Sequence, residues 1–487
     1  METNTEIDWA AGYVRSHDNA REVTDVTLDV IEGAIPSAMR GILVRNGPGR
    51  FERAGVAYGH IFDGDGFLTR FAFEGDRVMY RSRYVRTHEY VEEEKAGRIL
   101  YRGFGTNIPG GIRKNFLDLK FKNAANTSVV YHGGKLLALW EGGLPYEVDP
   151  TTLRTIGPWD GQGKLLKPRS IMNSFLGNVL PFSAHPRRDL ESGALLNFGS
   201  VVDPRGAKLM HYDVNADGDM APLSSTTLNE TIFLHDFVLT PHYRVYLLCK
   251  TVLDMKTTLL GKTTVDTGFK FTDAPTIVLV VPRNGGEPIR IEMPPCFVFH
   301  FTNAFEDGKQ IIVDGFKYTE YPRLPAPREK IESRTRSIGP FFTRFVLDLD
   351  KRTVEESSLG TNLGELPSIH AAYHGKPYRY AWSPSTAVDS TRTSFTGVAR
   401  FDTETKTSQY RELDALVGEA LFVPNPNGTS EDDGWVTMLT YIPEKHCSDL
   451  FVLDGRTLDT VCRLRLPHHV PPGFHGTWIA QKPTVAH

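Results

Sequence analysis

The 487-residue chain is 40% hydrophobic and 23% charged, with a formal net charge of −4, an ordinary globular composition with material for a large core. The near-balance of charge excludes the global basic field of a nucleic-acid binder, and no uninterrupted apolar run approaches the roughly 20 residues that cross a bilayer. The N-terminus, METNTEIDWAAGYVRS, has neither the basic nor the apolar region of a secretory signal, so a cytoplasmic protein is expected.

Short β-rich runs separated by Gly and Pro recur along the chain while long helical periodicity is scarce, which reads as all-β. The first distinctive stretch is NIPGGIRKNFLDLKFKNAANT, 107–127, where Ile112, Phe116, Leu117 and Leu119 interleave with Arg113, Lys114, Lys120 and Lys122. Two readings stand: an interfacial element making a peripheral membrane contact through 107–127, or a core helix with a solvated face. VVYHGGKLLALWEGG, from Val129, predicts two strands joined at Gly133 and Gly134, which supply the positive φ of a tight hairpin. TIVLVVPRNGGEPIRI, from Thr276, predicts another at Asn284 to Gly286. The string apolar-Asp-x-x-Thr closes a strand at Asp149, Asp350, Asp402 and Asp454, the last three about 52 residues apart. A period near 50 with several strands per unit is the mark of a β-propeller blade. The four cysteines, Cys249, Cys296, Cys447 and Cys462, lack CxxC spacing and are expected as reduced, buried thiols.

Against this background four of the sixteen histidines stand out by their apolar flanks: His185 in LPFSAHPRRD, His235 in FLHDFVLTPH, His300 in CFVFHFTNAFEDG and His475 in PPGFHGTW. An imidazole is costly to bury unless something binds it, and these four are expected to meet on one metal ion. His185, His235 and His300 are separated by about 50 and 65 residues, close to one repeat each, and one position per blade can face the axis of a propeller. Glu141, Glu365 and Glu419 are carboxylates in similar surroundings. Merged with the histidines they make seven stations, which suggests seven blades. Four neutral imidazoles suit Fe(II), and also Zn, Cu or Ni, so the ligand set alone does not choose iron. His60, in YGHIFDGDGF, is expected to be structural.

Ten landmarks stand in order: LVRNGPGRF, HIFDGDGFLTRF, YVRTHEYVEEEKAGRILYRG, AANTSVVYHGGKLLALWEGG, SAHPR, HDFVLTPHY, FVFHFTNAFEDG, GEALFVPNP, EDDGW and FHGTW. In these the chain resembles the carotenoid cleavage oxygenases from about Thr27 to Trp478, and looks most similar to the bacterial apocarotenoid oxygenases. The resemblance implies an all-β fold, a seven-bladed β-propeller with a cap of loops and short helices over a central iron site, residues 1–26 forming an N-terminal extension and 27–487 a single oxygenase domain. It implies that His185, His235, His300 and His475 are the catalytic ligands of one non-haem Fe(2+) per chain, and that Glu141, Glu365 and Glu419 accept the far N–H groups of ligating imidazoles. By the same resemblance Phe62, Trp140, Phe233, Phe299 and Leu366 line an apolar tunnel, with plain core packing as the other reading. Leu366 is a departure, standing where several relatives carry Phe.

The activity so implied is dioxygenase cleavage of a conjugated C=C bond of an apocarotenoid or carotenoid by O₂, giving two carbonyl products including a retinal-like aldehyde. The alternative is cleavage of a stilbene such as resveratrol. Stilbene cleavers resemble one another in a Tyr and a Lys that hold the ring hydroxyl; Tyr101 could match the former, but Trp140 stands at the Lys position, and an apolar ring there favours a polyene. A non-catalytic propeller that binds metal or lipid belongs to a different class, and a pure scaffold has no physical reason to gather four imidazoles and three carboxylates on one axis. The expected partners are the polyene and O₂, with no nucleic acid and no obligate protein partner.

Overall fold

The strand Lys135–Leu139 shows why this sequence makes blades. Its Leu136 and Ala138 pack against one neighbouring sheet and its Leu137 and Leu139 against the next, so a sheet covered on both faces reads as a continuous apolar run. In the computed structural model seven such sheets succeed one another around an axis. It describes residues 8–481 apart from 119, 168–177, 204–205, 229–232, 250, 253–254, 268–269, 323–325, 330–338, 389 and 391–393. Each junction between successive blades holds a separate buried cluster, for example Val245, Val278, Phe297, Val313 and Phe345 between the fourth and fifth. The protein is a seven-bladed β-propeller.

The ring is closed by both ends of the chain. The strand Gly476–Ala480 pairs antiparallel with Arg40–Arg50 of the first blade, from Gly41 opposite Ala480 to Arg45 opposite Gly476. Asp29–Gly33 pairs with Thr460–Arg465 of the seventh. The boundary expected at Thr27 falls within the strand Val23–Thr27, which pairs with Val78–Tyr84.

The repeated turn closes outer hairpins. Asp149 Oδ1 accepts the amides of Thr151 and Thr152 at 3.0 and 2.6 Å, and Asp402 and Asp454 hold their turns in the same way. The fourth instance needs correction. Asp348 Oδ1 accepts the Lys351 amide at 2.9 Å, whereas Asp350 reaches out to Lys309. The strand Phe341–Asp348 therefore ends one alternation earlier than the motif predicts. Both glycine hairpins form as expected, Gly133 and Gly134 taking φ of 53° and 75° and Gly285 and Gly286 joining Thr276–Pro282 to Ile289–Met293.

The cap consists of connecting loops and short helices, Trp9–Ser16, His88–Ala96, Ile112–Asn115, Met255–Leu259 and Thr264–Thr267. Within 107–127, Ile112, Phe116 and Leu117 are exposed, as are Arg113, Lys114 and Lys120; Leu119 lies outside the described residues. Lys122 departs from the expected cationic face. It is buried, 2.8 Å from Glu93 and hydrogen-bonded to Tyr58, with Asp65 also in contact. Its charge is used inside the protein because two carboxylates there need compensation. The four cysteines are free thiols, three of them buried and Cys447 half-buried. Among the described residues no helix is long and apolar enough to cross a membrane.

Candidate metal centre

The four histidines arrive at one end of the axis because each stands at or near the head of an innermost strand. His185 precedes Arg187–Arg188, His235 precedes Val238–Leu239, His300 lies within Phe297–Asp307 and His475 precedes Gly476–Ala480. Glu365 stands in the inner segment that bridges Tyr380–Ser385 at Gly364 and Ser368, and Glu419 precedes the inner strand Leu421–Pro424. Glu141 follows Lys135–Leu139 instead; in an antiparallel blade the end of the second strand returns to the head of the first. The seven stations thus come one from each blade.

The donor atoms of the four imidazoles lie within 4.8 Å of one another. Nε2 of His235 stands 2.9 Å from that of His185 and 3.1 Å from that of His300, and Nε2 of His475 stands 3.1 Å from that of His300. Behind three of the rings is a carboxylate: Glu141 at 2.5 Å from His235 Nδ1, Glu365 against His300 Nδ1, and Glu419 at 2.9 Å from His475 Nδ1. A carboxylate only accepts, so each assigns the proton to Nδ1 and leaves a lone pair on Nε2. Three lone pairs facing one another at about hydrogen-bond distance repel unless a cation lies between them. Ligands at right angles on a metal with nitrogen bonds of about 2.1 Å stand about 3 Å apart, so the donor set fits a metal ion. Among the described residues no carboxylate holds His185, whose backbone amide donates to Ser183 Oγ at 3.2 Å.

Burial holds His185 well below its ordinary pKa, reinforced by the neighbouring imidazoles. His475 is also lowered by burial, against the pull of Glu419. Burial presses on His235 too, but the Glu141 carboxylate outweighs it and the net shift is upward, a basicity that serves a metal as well as a proton. Glu419 is itself fixed by Arg45 Nη1 at 2.8 Å and the Gly476 amide at 2.9 Å. Leu366 carries a left-handed φ of 51°, a costly conformation for a leucine. Its amide donates to Glu365 Oε2 at 2.9 Å, so the strained backbone holds the carboxylate that faces His300.

A cavity of about 520 Å³ reaches the centre, lined by His235, His300, His475, Glu141 and Glu365. Its remaining wall is mostly apolar and includes Phe62, Trp140, Phe233, Phe299 and Leu366. For Phe299 both readings hold, since it also packs edge-on against Phe297 at 4.6 Å within a buried cluster. Tyr101 is not part of the wall; its hydroxyl donates to Glu92. Arg45, Arg187 and Asp236 were not expected in the site's support. Each stands in a landmark segment, and two of them lie within two residues of a histidine, but which partner each meets is set by neighbouring blades.

A propeller whose axis gathers four imidazoles beside an apolar cavity defines a metal-site enzyme. Residues 16–480 match the family described as retinal pigment epithelial membrane protein, RPE65, and the chain belongs to this RPE65 and carotenoid oxygenase family. It is 35% identical to apocarotenoid-15,15'-oxygenase of Synechocystis sp. over 97% of this chain and 96% of that one. It is 27% identical to resveratrol cleavage oxygenase 1 of Aspergillus fumigatus over 93% and 92%. The solved structure of cobalt-substituted Synechocystis ACO superposes with a TM-score of 0.88 at 34% identity, covering 97% of this chain and 99% of that one.

Proposed function

We propose that the chain is a dioxygenase that splits one conjugated C=C bond of an apocarotenoid, each alkene carbon taking one oxygen atom of O₂ so that two carbonyl products form and a retinal-like aldehyde is among them. The observation that carries the reading is the convergence of Nε2 lone pairs, fixed by three carboxylates, at the wall of an apolar cavity. His185, His235, His300 and His475 would hold one Fe(2+), and Glu141, Glu365 and Glu419 would keep their ligating rings in the metal-binding tautomer. Bound ferrous iron supplies the electrons that make dioxygen reactive toward an alkene. The protein's part is positioning: Phe62, Trp140, Phe233, Phe299 and Leu366 would hold a flat polyene beside the centre and exclude water. Tyr101 donates to Glu92 and Trp140 stands on the wall, which favours a polyene over a stilbene.

The polyene partitions into membranes, and the exposed Ile112, Phe116 and Leu117 with Arg113, Lys114 and Lys120 supply a peripheral contact. The Leu117 amide donates to the Leu259 carbonyl at 2.9 Å, which brings the exposed Leu260 beside the same face. Phe121 and Thr258, from these two segments, line the cavity.

The test is metal analysis, then anaerobic Fe(II) loading and an aerobic assay on an apocarotenal beside resveratrol. About one iron per chain, loss of polyene absorption, and loss of both in His300→Ala support the proposal. Cleavage of resveratrol alone sinks the substrate assignment, and full activity in His300→Ala sinks the centre.

A further inference from the structure

Two charged residues beside the histidines remain unused by the proposed chemistry. Arg187 lies two residues after His185, and Asp236 directly follows His235. Arg187 Nη2 meets Asp236 Oδ2 at 2.6 Å. The same guanidinium donates from Nε to the Phe237 carbonyl at 2.9 Å and from Nη2 to the Phe301 carbonyl at 3.1 Å. Asp236 in turn accepts the Phe301 amide on Oδ2 at 2.9 Å and the Phe237 amide on Oδ1 at 2.7 Å. Phe301 directly follows His300. One ion pair therefore ties together the backbones that carry His185, His235 and His300, which come from three successive blades.

The cores of these junctions are apolar, and such contacts are non-directional and fix no register at the level of tenths of an ångström. Other polar ties between the same blades, such as Arg283 to Asp189 at 2.8 Å and His242 to Glu306 at 2.7 Å, involve residues farther along the chain from the histidines. A guanidinium fork that donates to one carboxylate oxygen and to two backbone carbonyls does fix it, because its N–H groups are held in one plane. Asp236 is only 2% exposed, so its charge is costly unless this geometry is kept. On its other side Arg187 borders a small cavity of about 120 Å³ with Thr240, Asn303 and His374, which leaves room for the backbones to shift if the fork is lost.

We infer that Arg187 and Asp236 are a positioning pair that sets the spacing of three of the four imidazole donors. The inference rests on the reading of the cluster as a metal centre. Neither residue belongs to the four-imidazole cluster or lines the large cavity; each acts through the histidine beside it.

The test loads Co(II) alone into the full-length protein and follows its affinity and visible ligand-field bands in wild type, Arg187→Lys and Asp236→Asn. Lysine keeps the charge without the fork; asparagine keeps an acceptor without the charge. Both variants should bind Co(II) about tenfold or more weakly with shifted bands, and Arg187→Lys should be the milder. Asp314→Asn is the control. It breaks a comparably buried pair with Arg344, at 2.8 Å and away from the axis, so it should lower stability without moving the bands. If Asp236→Asn fails to fold, Arg187→Lys decides the matter by itself. Wild-type affinity and bands in a folded variant overturn the pair alone. Failure of the wild type to bind Co(II) or Fe(II) overturns the metal reading, and this inference with it.

Discussion

Glu419 holds His475 from behind: Oε1 accepts the Nδ1 proton at 2.9 Å, while Oε2 is taken by Arg45 at 2.8 Å and by the Gly476 amide at 2.9 Å. Glu419 belongs to the seventh blade and Arg45 and Gly476 to the first, so this one carboxylate serves the ring closure and the metal centre together. Burial raises its pKa, but Arg45 and His475 outweigh that and hold it below its ordinary value.

Glu419→Gln should therefore fail in two ways. Losing the charge opposite the buried Arg45 should cost about 3–5 kcal/mol of stability. Because glutamine brings one acceptor oxygen and an NH2 to a place where two oxygens meet His475, Arg45 and the Gly476 amide, the weakened hold on His475 should lower metal binding about 10–100-fold. Thermal melting and metal retention on dialysis separate the two. Retention equal to wild type would remove Glu419 from the support of the centre.

Leu366 lines the cavity and takes a left-handed φ. Phenylalanine adds volume to the wall at no further backbone cost, so Leu366→Phe should obstruct long substrates first. The expected result is a loss of about tenfold in kcat/KM for a long apocarotenal, within the roughly 1–3 kcal/mol of overpacking, and a smaller loss for a shortened one. Equal losses for both lengths would place Leu366 off the substrate path.

Several histidines outside the centre make the fold acid-sensitive, His17, His374 and His468 held down to about 4 by burial and two held lower still. Burial pushes His60 and His211 down to about 3; His60 Nδ1 accepts the Phe62 amide at 3.2 Å, and His211 is bonded to Tyr246 at 3.1 Å and Thr226 at 3.0 Å. In the unfolded chain each titrates near 6.5, so between these values the unfolded state binds more protons and stability rises with pH. The stability is fully present above about 6.5 and falls with acidification toward about 3, by up to about 1.4 kcal/mol per pH unit for each ring. Urea midpoints at pH 7 and pH 5 measure the slope, which His211→Gln should make shallower. An unchanged slope would mean that His211 protonates freely in the folded state.

Ile112 and Phe116 are 68% and 52% exposed, and the proposed membrane contact predicts that Phe116→Asp weakens co-sedimentation with anionic vesicles by about tenfold or more, given roughly 1.5–3 kcal/mol for an inserted aromatic ring. Metal content should not change, because Phe116 does not line the cavity. Undiminished sedimentation would assign the segment to solvent.

The sequence by itself determined the features that depend on neighbours along the chain. The turns at Asp149, Asp402 and Asp454 and the glycine hairpins are local patterns, and each is visible because strand alternation and turn chemistry act over a few residues. Only the tertiary structure decided which groups meet. Lys122 reads as one more cation on an amphipathic stretch, yet it is buried against Asp65 and Glu93. Glu141 serves His235, Glu365 serves His300 and Glu419 serves His475, and Arg187 reaches across to Asp236. These pairings join different blades, so they exist only after closure of the ring fixes the angle between one sheet and the next, which no run of adjacent residues encodes.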